Sequence, residues 1–106
     1  GKGKALEMIC SAGMMNADDA LKWGLVNTVT SLEELMPTCL KLAQKMSKNS
    51  PTAIAAGIRS VLAGYHFDTD GFQTEIDEFG KCFGTADFKE GTSAFLEKRK
   101  AEFKGK

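Results

Sequence analysis

Phe72, Ile76, Phe79 and Phe83 recur at i, i+4, i+7 and i+11, a spacing that an α-helix turns into one continuous stripe. A strand would divide the same four residues between its two faces, because side chains alternate there with a period of two. The stripe therefore predicts a helix, ended by Gly84, with Glu75, Asp77 and Glu78 on its outer face. Tyr65 to Gly71 before it is a polar connection.

The rest of the chain is punctuated in the same way. Leu6, Ile9 and Cys10 mark a helix over Lys4–Cys10, which Ser11-Ala-Gly breaks. Asn16 has the chemistry of an N-cap, with Asp18 and Asp19 in the first turn, where the helix dipole favours negative charge. Gly24 sits where that short helix, Ala17–Trp23, needs a left-handed C-terminal residue. Leu25 to Thr30 is β-rich and reads as a short strand or an extended link. Ser31-Leu-Glu-Glu34 is a capping box. The helix it opens runs to about Lys48, with Leu32, Leu35, Met36, Cys39, Leu40, Ala43 and Met46 on one face and Pro37 as a kink or restart. Ser50-Pro51 starts another helix, carrying Ile54, Ile58, Val61 and Leu62, which Gly64 can end. Its small residues Ala53, Ala55, Ala56 and Gly57 predict close approach of a second helix. Thr85 caps the last helix, with Phe88, Phe95 and Leu96 on its buried side. The fold class is all-α, five to six helices joined by short links, with neighbours expected as antiparallel pairs.

A chain of 106 residues is one small domain or part of a larger one. It opens at Gly1 without Met, as a processed or truncated product would. Net charge is zero, which argues against a general nucleic-acid binder. The charge is uneven, however. Residues 68–90 hold seven acids against Lys81 and Lys89, while Lys98 to Lys106 hold five bases against Glu102 alone. That asymmetry predicts local pairing or contact with a neighbouring chain. Cys10, Cys39 and Cys82 form no CxxC pair and read as buried thiols in a reducing compartment, not as a disulfide framework or a zinc site. No apolar run is long enough to span a membrane, and no secretory leader is visible, so a cytoplasmic protein is expected.

Few residues offer chemistry. His66 is the single histidine, so a histidine metal cluster is excluded and a Ser/His/Asp arrangement has nothing to orient it. The acids from Asp68 to Glu78 lack the spacing of a calcium-binding loop, and no glycine-rich phosphate loop is present. No catalytic residue and no metal ligand is assigned. The tail is different. Glu90 to about Lys100 reads as an amphipathic helix in which Phe95 and Lys98, three apart, share a face. A flat ring beside a cationic arm can stack on a heterocyclic base and reach a phosphate. The same residues also fit plain packing of Phe95 and Leu96 beneath a solvated, lysine-rich end.

Three stretches in order, Asn16-Ala-Asp-Asp-Ala-Leu-Lys-Trp-Gly-Leu-Val-Asn27, Ser50-Pro-Thr-Ala and Glu90-Gly-Thr-Ser-Ala-Phe-Leu-Glu-Lys-Arg-Lys100, resemble the C-terminal third of the enoyl-CoA hydratase/isomerase (crotonase) family. The resemblance covers nearly the whole chain and is nearer the bacterial short-chain hydratases than the isomerases. It implies the helical trimerisation region of that fold without the β/α spiral core. Residues 1–50 would be family helices and link, and 51–106 the oligomerisation helices and CoA-contacting tail. The implied reaction adds water across the double bond of a trans-2-enoyl-CoA in acyl-CoA metabolism, using two glutamates and a pair of backbone N–H donors. In the family all four groups lie upstream of the matched region, so none is transferred to Glu33, Glu34 or any other residue here. This chain alone should therefore be inactive.

The resemblance does carry over Phe95 and Lys98, as residues that grip the adenosine-phosphate end of coenzyme A. No resident cofactor is implied, since coenzyme A arrives with the substrate. The implied partners are acyl-CoA in the full-length context and further copies of the chain, as a trimer or dimer of trimers, with no nucleic acid and no membrane. Ala12-Gly-Met-Met15 departs from the basic residues that many relatives carry after the glycine. Two alternatives remain beside a hydratase part: a non-catalytic helical self-association module, and a small acyl-CoA binding protein.

Overall fold

The structure is a computed structural model describing all residues, 1–106. It contains six helices and no strand: α1 Lys2–Ser11, α2 Ala17–Lys22, α3 Leu32–Met46, α4 Pro51–Ala63, α5 Gly71–Cys82 and α6 Ala86–Leu96. They fall into two compact units, residues 1–41 and 42–106.

In the first unit local chemistry sets the boundaries. Asn16 accepts a hydrogen bond from the Asp19 amide at 2.8 Å, capping α2 as its sequence predicts. Gly24 takes φ +72°, and the Leu25 amide reaches back to the Ala20 carbonyl, closing the helix with a left-handed turn. Lys4 lies over the Trp23 ring, 5.0 Å from its centroid. Leu25 to Thr30 runs as a link. Its β propensity is not realised, because no other strand is present to supply the ladder. Ser31 accepts from the Glu34 amide at 3.3 Å, and α3 continues unbroken through Pro37.

The second unit is built on α4 and α5. As α4 advances from Arg59 to Gly64, α5 retreats from Glu78 to Gly71, so the two run antiparallel. At their junction the backbones nearly touch. A Cβ on Gly71 would meet Gly64 Cα at 3.0 Å, so any larger residue there would have to push the α4 end aside. The close approach expected at Gly57 is absent there, where a Cβ would meet nothing. Ala56, one residue earlier, is the buried member of that small-residue run.

Of the acids expected on the outer face of α5, Glu75 and Asp77 are exposed and Glu78 is not. Glu78 is 6% exposed, held by Arg59 Nε at 2.9 Å and Lys81 Nζ at 2.8 Å. The stripe Phe72, Ile76, Phe79 and Phe83 faces outward, and Phe83 meets Phe79 edge-to-face at 5.0 Å and Phe88 at a tilt at 4.5 Å. The buried side of α6 likewise holds Asp87 and Ala94, while Phe88, Phe95 and Leu96 are exposed. Cys10 and Cys39 are exposed and Cys82 half-buried, against the expectation of buried thiols. The exposed apolar residues share one cause. The buried apolar residues are four alanines, Ala20, Ala56, Ala63 and Ala94, so the large apolar side chains have nothing in this chain to pack beneath. Antiparallel packing is extensive for α4 and α5 alone. No helix is long and apolar enough to cross a membrane.

Candidate functional site

Asp87, Glu90, Gly91 and Ala94 fall at i, i+3, i+4 and i+7 of α6 and so share a face. The irregular C-terminal segment, residues 99–106, folds back along that face as a strap. Arg99 grips Glu90 through two bonds, Nη1 to Oε1 at 2.6 Å and Nη2 to Oε2 at 2.9 Å. The Glu102 amide donates to Glu90 at 2.8 Å. The Phe103 ring rests on Gly91, where a Cβ would come within 3.3 Å of it. Finally the Lys104 and Gly105 amides donate to Asp87 at 2.8 and 3.1 Å.

Asp87 joins this strap to the start of α4. It is 3% exposed, and it accepts 2.6 Å from the hydroxyl of Ser50, the residue that also caps α4. The Ser50 hydroxyl, with the Lys104 and Gly105 amides, holds the Asp87 carboxyl below the usual range despite its burial. The paired Arg99 guanidinium and the Glu102 amide lower Glu90 from 4.5 to about 2. The local pairing predicted from the charge asymmetry is therefore present between Glu90 and Arg99.

α6 itself ends earlier than its sequence predicts. The helix stops at Leu96 rather than near Lys100, and Lys98 takes φ +54°. The Lys98 amide donates to the Phe95 carbonyl and the Arg99 amide to the Ala94 carbonyl, the two bonds of a Schellman cap. Lys98 occupies the position in that cap where glycine is usual. A left-handed lysine costs about 1 kcal/mol in backbone strain.

Lys98 thus lies in a capping turn and not on the helical face that carries Phe95. Phe95 is 83% exposed and stands at the lip of an apolar groove of about 530 Å³ that Phe88, Leu96 and Phe103 also line. The Lys98 side chain is exposed beyond the helix end and does not line the groove. No cluster of three or more His, Cys, Asp or Glu side chains is placed to hold a metal. The roles of Asp87, Arg99, Gly91 and Phe103 went unread in the sequence. The one signal available was that Asp87, Glu90, Gly91 and Ala94 share a helical face of acids and small residues, suited to cover by backbone.

The family model described as enoyl-CoA hydratase/isomerase matches residues 1–106, and the chain belongs to that family. It is 41% identical over 104 residues to the crotonyl-CoA hydratase of Syntrophomonas wolfei subsp. wolfei, covering 97% of this chain and 40% of that protein. It is 40% identical over 103 residues to the short-chain-enoyl-CoA hydratase of Clostridium acetobutylicum, covering 96% of this chain and again 40% of the relative. Among solved structures, the enoyl-CoA hydratase from Bacillus anthracis superposes with a TM-score of 0.90 at 30% identity, over 98% of this chain and 41% of that one. An enoyl-CoA hydratase subunit I from Geobacillus kaustophilus HTA426 gives 0.87 at 36% identity, over 98% and 41%. The chain spans about two-fifths of the length of these relatives. Its six helices correspond to the C-terminal helical region of the crotonase fold.

Proposed function

We infer that this chain is the oligomer-forming and nucleotide-gripping part of an enoyl-CoA hydratase acting in the cytoplasm on trans-2-enoyl-CoA. The observation that carries the reading is Phe95, an exposed ring at the lip of an apolar groove, with the Lys98 cation held one capping turn away. The ring offers a face for adenine and the ammonium a donor for a CoA phosphate. The hydratase names of the relatives supply the substrate class. No residue here is given a catalytic role, so the 106-residue chain should not hydrate crotonyl-CoA by itself.

Lys98→Ala, made in the full-length enzyme, is expected to raise KM for crotonyl-CoA roughly ten- to hundredfold, the order of one lost charge-assisted contact, and to leave kcat nearly unchanged. A distal contact made equally in ground and transition states behaves so. Equal losses in kcat and kcat/KM would overturn the assignment.

The outward stripe of α5 favours the oligomeric part of the reading. Phe72, Ile76, Phe79 and Phe83 make a contiguous apolar face of a kind that soluble monomers rarely leave bare. Sedimentation of the chain should show self-association that weakens when Phe79 is replaced by Asp. A compact monomer at high concentration would remove self-association from the proposal.

A further inference from the structure

The sequence of α6 favours a longer helix than the one that forms. Glu97, Lys98, Arg99, Lys100 and Ala101 are all good helix formers, and no glycine or proline interrupts them. Yet the helix ends at Leu96, with the non-glycine Lys98 in the left-handed region at φ +54°. Something must hold the chain out of the helix against its own propensity. The bidentate ion pair from Arg99 to Glu90, reinforced by Arg99 Nε to Glu97 at 2.6 Å and the Glu102 amide to Glu90, is the contact nearest to the break. It fixes the residue immediately after Lys98 against α6, nine positions back from Arg99.

We propose that Arg99, clamped to Glu90, is a positioning residue for Lys98: it stops α6 one turn early and sends the Lys98 side chain off the helix end. This rests on the assignment of Lys98 to a CoA phosphate. With Arg99 released, the helix propagates through Lys98, whose side chain then turns with the helical surface and leaves the phosphate. Arg99 has no free fork to offer a ligand itself, because Glu90, Glu97 and the Lys100 carbonyl take four of its five N–H donors and leave a single Nη2 N–H.

The test measures coenzyme A binding by calorimetry to the full-length enzyme carrying this chain, in the wild type, Lys98→Ala, Arg99→Gln and the double variant. Arg99→Gln should weaken binding roughly tenfold, as the loss of one charge-assisted contact does, and the double variant should bind no worse than Lys98→Ala alone. A crystal structure of Arg99→Gln should show negative φ at Lys98. Glu90→Gln is the second variant. It keeps a carbonyl acceptor for the Glu102 amide but loses the ion pair, and it should weaken binding as Arg99→Gln does. If Arg99 touched the phosphate directly, Glu90→Gln would free it and binding would hold or tighten, which overturns the proposal. Additive losses in the double variant, or a left-handed Lys98 retained in Arg99→Gln, also overturn it. An unaffected Lys98→Ala refutes the phosphate assignment itself, a result distinct from a failure of Arg99 alone.

Discussion

Asp87→Ala should detach the end of the strap from α6 while leaving the α4–α5 pair in place. The Asp87 carboxylate is the acceptor for the Lys104 and Gly105 amides and for the Ser50 hydroxyl, and it is buried where water cannot readily replace it. Hydrogen exchange at Lys104 and Gly105 should therefore speed up by about ten- to hundredfold, the range expected when a hydrogen bond to a charged acceptor is lost. Exchange along α5 should barely change, because Glu78 and its partners Arg59 and Lys81 lie outside the clasp. Asp87→Asn keeps one carbonyl acceptor and should give an intermediate effect. Unchanged protection at Lys104 and Gly105 in Asp87→Ala would mean that the strap is held elsewhere.

What the sequence revealed and what it hid divide along a physical line. Most features whose partners lie within four residues were legible, the Asp70 cap of α5 excepted. Asn16, Ser31, Ser50 and Thr85 cap their helices as read, each accepting from an amide three positions on. Gly24 closes α2 because a left-handed residue is a local demand. Features that depend on distant partners were not legible. Periodicity established that Phe72, Ile76, Phe79 and Phe83 share a face, but it carries no information about whether that face is covered. Here it is not, and Glu78, assigned to solvent, is drawn inward by Arg59, nineteen residues away. The end of α6 was misplaced for the same reason. Local propensity favoured helix through Lys100, and the contact that overrules it spans the nine residues from Glu90 to Arg99. Asp87 is the extreme case, since Ser50 lies thirty-seven residues before it. The expected shared helical face of Phe95 and Lys98 is not formed. Lys98 lies in the cap that ends α6, its amide donating to the Phe95 carbonyl, beyond the helical face that Phe95 occupies.

Acid should loosen both the strap and the α4–α5 pair within one window. Arg59 and Lys81 lower Glu78 from 4.5 to about 2, and Arg99 with the Glu102 amide does the same for Glu90. Ser50 and the strap amides lower Asp87 in the same direction. Because the folded-state values lie below the ordinary ones, the unfolded chain takes up protons first as the pH falls. The stabilisation from Glu78 and Glu90 is therefore complete above about 4.5 and is lost progressively between there and about 2. Thermal or urea midpoints should be level from neutrality down to about pH 5 and then fall steeply as acid is added. In Glu90→Gln the slope in that window should be shallower, since one of the proton-linked groups is gone, and in Glu78→Gln likewise. Stability that stayed flat through the window, or rose in acid, would show that neither carboxylate holds its partners in solution. The two variants then separate the parts. Glu90→Gln should change the pH response of Glu102 and its neighbours in the strap, and Glu78→Gln that of α5, because the two carboxylates share no partner.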